Sequence, residues 1–316
     1  NPTFGTEIRN LMFETVHPSL GNGAPKVRSI RIGIEAGGSG TRNDDYRDGG
    51  MGPETIAIGT FAGYHALNCS GTLFMGSGAG QGASGVHDSI IIGKSAGVSA
   101  SGSHPDDLTT NLILIGSRAG NGLNLETNSL IAIGRDAAYG SSGNNSSAIM
   151  GHNAGKNSFN FRNSVAIGKD AGLQASGSDY SVMIGHQAGE NAWVCDKSVF
   201  IGDRAGDGAS GIDNSVFIGE RAGLDASGAY PTGVNDLPKL ADVVAIGSQA
   251  AYQAREIEET VAIGKYAGFQ TMATLNGRLN LIGLSVGRYA SGIDYISAIG
   301  TNAAEELRNS EYSNLI

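Results

Sequence analysis

Apolar residues recur along this chain in runs of three or four, each closed by a glycine. Examples are SVAIG at 164–168, SVMIG at 181–185 and SVFIG at 198–202 and again at 215–219. The runs are too short for an amphipathic helix and rich in β-branched residues, so they predict strands. Aligning the closing glycine from Gly33 to Gly300 gives fifteen copies. Nine of the fourteen intervals between copies are 17 residues and all others are longer. The unit is therefore a 17-residue coil that accepts insertions. Positions below are counted from this repeat glycine.

The residue before it is Ile, or Met at Met75 and Met150. Position +3 is Ala in every copy but one, Val286. Position +4 is Gly except at Ala138, Ala251 and Ala304. The glycine ends the strand and permits a turn that a Cβ would resist. The small residue at +3 points back into a narrow corner, and +4 makes a second bend. One coil cannot bury its own apolar row, whereas stacked coils can. The pattern predicts an all-β protein, a parallel β-solenoid of about fifteen coils over residues 29–316. Residues 1–28 lack the repeat and read as a cap or a joint to something preceding.

Side chains alternate faces along a strand. In Val165-Ala166-Ile167, Val and Ile share one face, read as the interior, which sends the middle residue outward. That middle row is apolar too (Ala57, Phe74, Ile91, Phe200 and Phe217 among others), broken by Arg31. Strands apolar on both faces are covered on both, which predicts side-by-side association of several chains along the middle row. The alternative is cover by another segment of the same coil. The three alanines at +4 argue for tight packing there rather than an obligatory positive φ. On that reading Gly189→Ala is nearly neutral and Gly189→Val is not.

Longer insertions follow Gly37, Gly102 and Gly228, with a short one near Leu275-Asn276-Gly277. Loops on a rigid scaffold often carry recognition. The candidate ligand-binding residues are therefore Asp44, Asp45, Tyr46 and Asp48; His104, Asp106 and Asp107; and Tyr230 and Asp236. Tyr180 and Trp193 are added as aromatic platforms.

Composition narrows the chemistry. The 316 residues include 50 Gly and carry a formal charge of −9, which disfavours nucleic acid as a partner. No apolar run approaches the ~18 residues of a membrane span. The numbering opens at Asn1 with no visible signal peptide, as in a processed or partial chain. Cys69 and Cys195 each lie ten residues after a repeat glycine and read as free thiols. His152 and His186 alternate with Arg135 and Lys169 along position +1, a solvated stripe or an anion site. No catalytic triad, phosphate loop or zinc spacing stands out, so no cofactor and no metal are expected, and an enzyme is disfavoured. Paired carboxylates such as Asp106 and Asp107 suit glycoside hydrolysis only at the right separation.

The segments NSVAIGKDAG and DNSVFIGERAG resemble the head repeats of YadA-like trimeric adhesins. Similar repeats occur in shafts of phage tail fibres and tailspikes. The resemblance spans about residues 29–316 and implies a left-handed parallel β-roll, a homotrimer and an exposed position on a virion or cell. The coil here is longer than the bacterial head repeat, which favours the phage side. The expected function is that of a structural or receptor-binding segment of a trimeric tail fibre or tailspike in the virion tail. Its partners would be other tail proteins and a host cell-surface glycan or receptor, with no membrane insertion. The alternatives are the head of a bacterial trimeric autotransporter adhesin at the cell surface, and a tailspike polysaccharide depolymerase. The hexapeptide-repeat acyltransferases with a left-handed β-helix are a further one, but only one hexad per coil fits them.

Overall fold

The computed structural model describes residues 11–15, 28–37, 54–102, 111–124, 129–227, 242–255, 260–270, 279–287, 291, 294–301 and 311–315. The described residues form strands and turns with no helix, a parallel β-solenoid of about ten turns. The chain divides into two compact units, Asn1–Asn145 and Ser146–Ile316.

In the first unit, β1 (Leu11–Thr15) runs antiparallel to β2 (Arg28–Ile32). All later neighbours are parallel: β3 (Ile56–Ile58), β4 (Leu73–Met75), β5 (Ile90–Ile92), β6 (Asn111–Ile115) and β7 (Ser129–Ile133). The second unit repeats the arrangement with β8 (Ser147–Met150), β9 (Val165–Ile167), β10 (Val182–Ile184), β11 (Val199–Ile201) and β12 (Val216–Ile218). It continues with β13 (Val243–Ile246), β14 (Thr260–Ile263), β15 (Leu279–Ile282), β16 (Asp294–Ile299) and β17 (Glu311–Leu315). Register follows the repeat, not the chain count. Phe200 pairs Phe217 across a 17-residue interval, and Phe217 pairs Ala245 across one of 28. An insertion therefore leaves the ladder unshifted.

The strand faces are the reverse of the sequence reading. The middle residues Phe74, Ile91, Met183, Phe200 and Phe217 are wholly buried, while the flanking Ile and Val are partly exposed. Another part of the same coil covers the middle row, so that row cannot be a contact between chains. In the coil of Gly185 the interior consists of Met183, Ala188, Ala192, Cys195 and Ser198. In that coil one large side chain, Met183, lies among small ones, while other coils bury two, as Ile149 with Phe161 and Phe200 with Ile212. Phe200 and Phe217 stack there at 5.3 Å, nearly parallel.

The turn after each strand is a chain of overlapping β-turns. In the coil of Gly202 the N–H groups of Ala205, Asp207 and Ala209 donate to the carbonyls of Gly202, Arg204 and Gly206 at 3.4, 3.4 and 3.1 Å. The third residue of each turn has a positive φ, as in type II turns: Arg204 +56°, Gly206 +62°, Gly208 +68°. The N–H groups left over bond to the coils on either side: Arg204 to the His186 carbonyl and Gly206 to the Ala222 carbonyl. Backbone polar groups of the turn are thus satisfied without a sheet. A second bridge ladder forms at +8 on the return half of the coil, joining Phe159, Ser176, Trp193, Ser210, Ser227 and Arg255 in the second unit.

Candidate binding surfaces

Two kinds of outward surface follow from this coil. The first is the strand face. Residues at −3 and −1 alternate with the buried middle residue, and nearly all are Val, Ile, Leu or Met. In the first unit Ile90 and Ile131 are about two-fifths exposed, at 41% and 38%. In the second, Ile167 is 37% exposed and Ile299 50%. Aliphatic side chains half open to water, repeated on coil after coil, form a connected apolar stripe within each unit.

The second surface is the return half. Its +8 row is mostly serine, but Leu67, Phe159 and Trp193 stand on it with 43%, 53% and 46% of their surface exposed. Trp193, a candidate from sequence, stands half-exposed on this row. Phe159 was not a candidate, because its position in the ladder shows only once the bridge Phe159↔Ser176↔Trp193 is seen. The signal was present in the sequence: both residues are the eighth after a repeat glycine, Gly151 and Gly185. Tyr180 is exposed, but at +12 with a φ of +56°, on a different row from Trp193. The other sequence candidates, Asp44, Asp45, Tyr46, Asp48, His104, Asp106, Asp107, Tyr230 and Asp236, lie outside the described residues.

The polar rows have structural partners. Arg118 Nη2 donates to Asp136 Oδ2 at 2.7 Å, and Asn153 Nδ2 to Asp170 Oδ1 at 2.9 Å. His186 Nδ1 lies 2.7 Å from Asp203 Oδ1 on the +1 row, a half-exposed pair. That fits the solvated, charge-balanced stripe. Along +11 each backbone N–H donates to the carboxylate one coil on: Arg162 N–H to Asp179 Oδ1, Asp179 N–H to Asp196 Oδ1 and Asp196 N–H to Asp213 Oδ1, at 2.9, 2.7 and 2.9 Å. Burial and then mutual repulsion raise Asp196 and Asp213 above the usual carboxylate range, opposed by those N–H donors. Around Asp207, burial, Glu190, Asp225 and Asp203 together push the carboxyl up to about 6, with Arg204 opposing.

Both cysteines are free and buried. Burial pushes Cys69 up to about 11 and Cys195 up to about 12. A thiol held protonated in this way is no nucleophile. Among the described residues no group of three or more His, Cys, Asp or Glu could hold a metal ion, and no helix is long and apolar enough to cross a membrane. No family model, curated protein or solved structure matches the chain.

Proposed function

We propose that the chain is a structural, host-attaching segment of a fibrous phage tail protein, assembled as a homotrimer through its strand face. The observation that carries this reading is the apolar stripe at −3 and −1. Half-open aliphatic side chains stacked on successive coils add up to a continuous apolar area of the kind that a stable interface covers, about 800 Å² per partner. Water-exposed Ile and Val in this density are costly for a monomer and stabilising when covered. A solenoid has no natural end along its axis but an open side. Identical chains placed side by side bring identical coils to the same height, so one repeat sequence solves the contact along each unit.

The resemblance of NSVAIGKDAG and DNSVFIGERAG to trimeric adhesin and tail-fibre repeats supports three chains, a left-handed coil and a role on a virion tail. A tail-fibre shaft would hold a receptor-binding region away from the particle and meet other tail proteins at its ends.

The test is a paired substitution on the outer face, Ile167→Lys with Ile201→Lys. Both side chains point away from the lumen, so the coil should fold as before, which circular dichroism checks. The expected result is a folded chain of monomer mass. A variant that retains the oligomer mass would remove the strand face from the interface.

A further inference from the structure

We infer that the return face of the second unit carries a glycan-binding platform centred on Phe159 and Trp193, and that its ligand is an extended, uncharged polysaccharide. The inference deepens the host-attachment reading and rests on it in one respect: the return face stays open to water when the strand face is covered.

Phe159 and Trp193 occupy the same position of two coils separated by one other, bridged through Ser176. Adjacent parallel strands are ~4.8 Å apart, so the two aromatic residues stand ~9.6 Å apart along the stack. Both are about half exposed. The residue between them is the small Ser176, followed by Gly177, so the surface between the two rings is low. Two aromatic surfaces separated in this way match the advance of an extended disaccharide unit, whose pyranose rings offer flat C–H faces for stacking.

Beside this row runs a second one. Position +6 holds Asn157, Gln174 and Asn191 on the same three coils, all exposed. Each has a positive φ, at +54°, +58° and +56°. An exposed amide both donates and accepts hydrogen bonds, as a ring of sugar hydroxyls requires. Aromatic faces with a neighbouring line of amides provide the stacking and the polar contacts that a sugar needs.

Charge decides between kinds of glycan. On these three coils, positions +6 to +9 read Asn-Ser-Phe-Asn, Gln-Ala-Ser-Gly and Asn-Ala-Trp-Val, with no ionisable side chain. The chain carries a formal charge of −9. A polyanionic glycan would find no cation on this strip and a net repulsive molecule around it. A neutral polysaccharide meets neither penalty.

Trp193 is the only tryptophan in the chain, so its fluorescence reports this position alone. The experiment titrates the assembled protein with cellohexaose, chitohexaose and mannohexaose. Glucose and N-acetylglucosamine serve as short controls, and polygalacturonate as a charged one. The expected result is a saturable change in Trp193 emission with at least one neutral hexasaccharide and none with the monosaccharides. Phe159→Ala should weaken that binding by about tenfold or more while leaving the emission of the free protein unchanged. Emission unmoved by all three hexasaccharides overturns the inference, as does binding unaffected by Phe159→Ala or stronger for polygalacturonate. The oligomer mass, measured on the same samples, separates the two readings. An intact oligomer without sugar binding removes the platform alone, and sugar binding by a monomer removes the trimer alone.

Discussion

At the scale of single residues, two positions with the same letter do different work. The repeat glycine has a φ between about +130° and +139° through most coils, and a Cβ on Gly59 would stand 2.6 Å from the Gly76 carbonyl oxygen of the next coil. The glycine at +4 has a φ near +60° and faces its own coil: a Cβ on Gly206 would lie 2.6 Å from the Phe200 ring, and one on Gly189 would overlap Met183 Sδ. Ala138 and Ala251 keep the positive φ, at +52° and +49°, so the alanines at +4 do not signal an ordinary backbone there. They occur where the middle residue is also alanine, Ala132 and Ala245, as Ala304 follows Ala298. Gly189→Ala is therefore expected to cost about 2 kcal/mol or more, from φ and overlap together. In a Met183→Ala background the added cost should fall to about 1 kcal/mol, the part due to φ. Chemical denaturation of the four proteins of this cycle measures the coupling; additivity would mean that Met183 is not the obstacle. A second residue, half-buried Asp207, is held at about 6 against an ordinary 3.8. Its carboxyl binds a proton more readily folded than unfolded, so this group lowers stability as pH rises from about 4 through about 6, and the penalty is complete above that. Discounted for its exposure, Asp207→Asn should gain on the order of 1 kcal/mol at pH 8 and nothing below pH 4. Thermal melts across that range check the sign, and a gain that grows toward low pH contradicts it.

At the scale of the coil, hydroxyls do what a broader sheet would do elsewhere. Position −4 holds a buried Ser or Thr in most described coils, including Thr55, Thr72, Ser164, Ser181, Ser198 and Ser215. Ser181 Oγ donates to the Cys195 carbonyl at 2.7 Å and accepts the Ser198 N–H at 3.2 Å, and Ser198 repeats both bonds one coil on, with Ile212 and Ser215. Each hydroxyl joins its own coil to the next where the strand has not yet begun. Ser181→Ala leaves a buried carbonyl and a buried N–H without this partner and should cost about 1–3 kcal/mol. Ser181→Thr should be close to neutral, since Thr55 and Thr72 make the corresponding bond. Equal losses for Ala and Thr would assign the site to packing. The coil itself was legible in the sequence: the strands, the 17-residue period, the turn glycines and the inward Ala at +3. The direction of the strand faces was not. A three-residue strand with apolar residues on both sides offers no polar face to orient it, although the largest side chains, Phe74, Phe200 and Phe217, all take the buried middle position. The clue lay in Ser or Thr at −4 and Ala at +4, which share the lumen with the middle residue. On the return half, Trp193 was legible as a lone aromatic, whereas its pairing with Phe159 needed the second ladder, where side chains vary too much to form a motif.

At the scale of the whole molecule, reversing the strand faces moves the proposed assembly surface from the middle row to the rows beside it. The middle row that first suggested association is the lumen, and Phe200 within it is wholly buried. An aspartate there would damage the fold itself. The Val and Ile rows beside it face water, and the proposed contact between chains is placed on them. One property then separates a fibre segment from a solitary solenoid: how many chains travel together. Sedimentation equilibrium of the intact chain over a wide dilution range measures it directly. The expected mass is three times that of the 32.3 kDa chain, holding at low micromolar concentration. A single species of 32.3 kDa across that range would contradict assembly through the strand face.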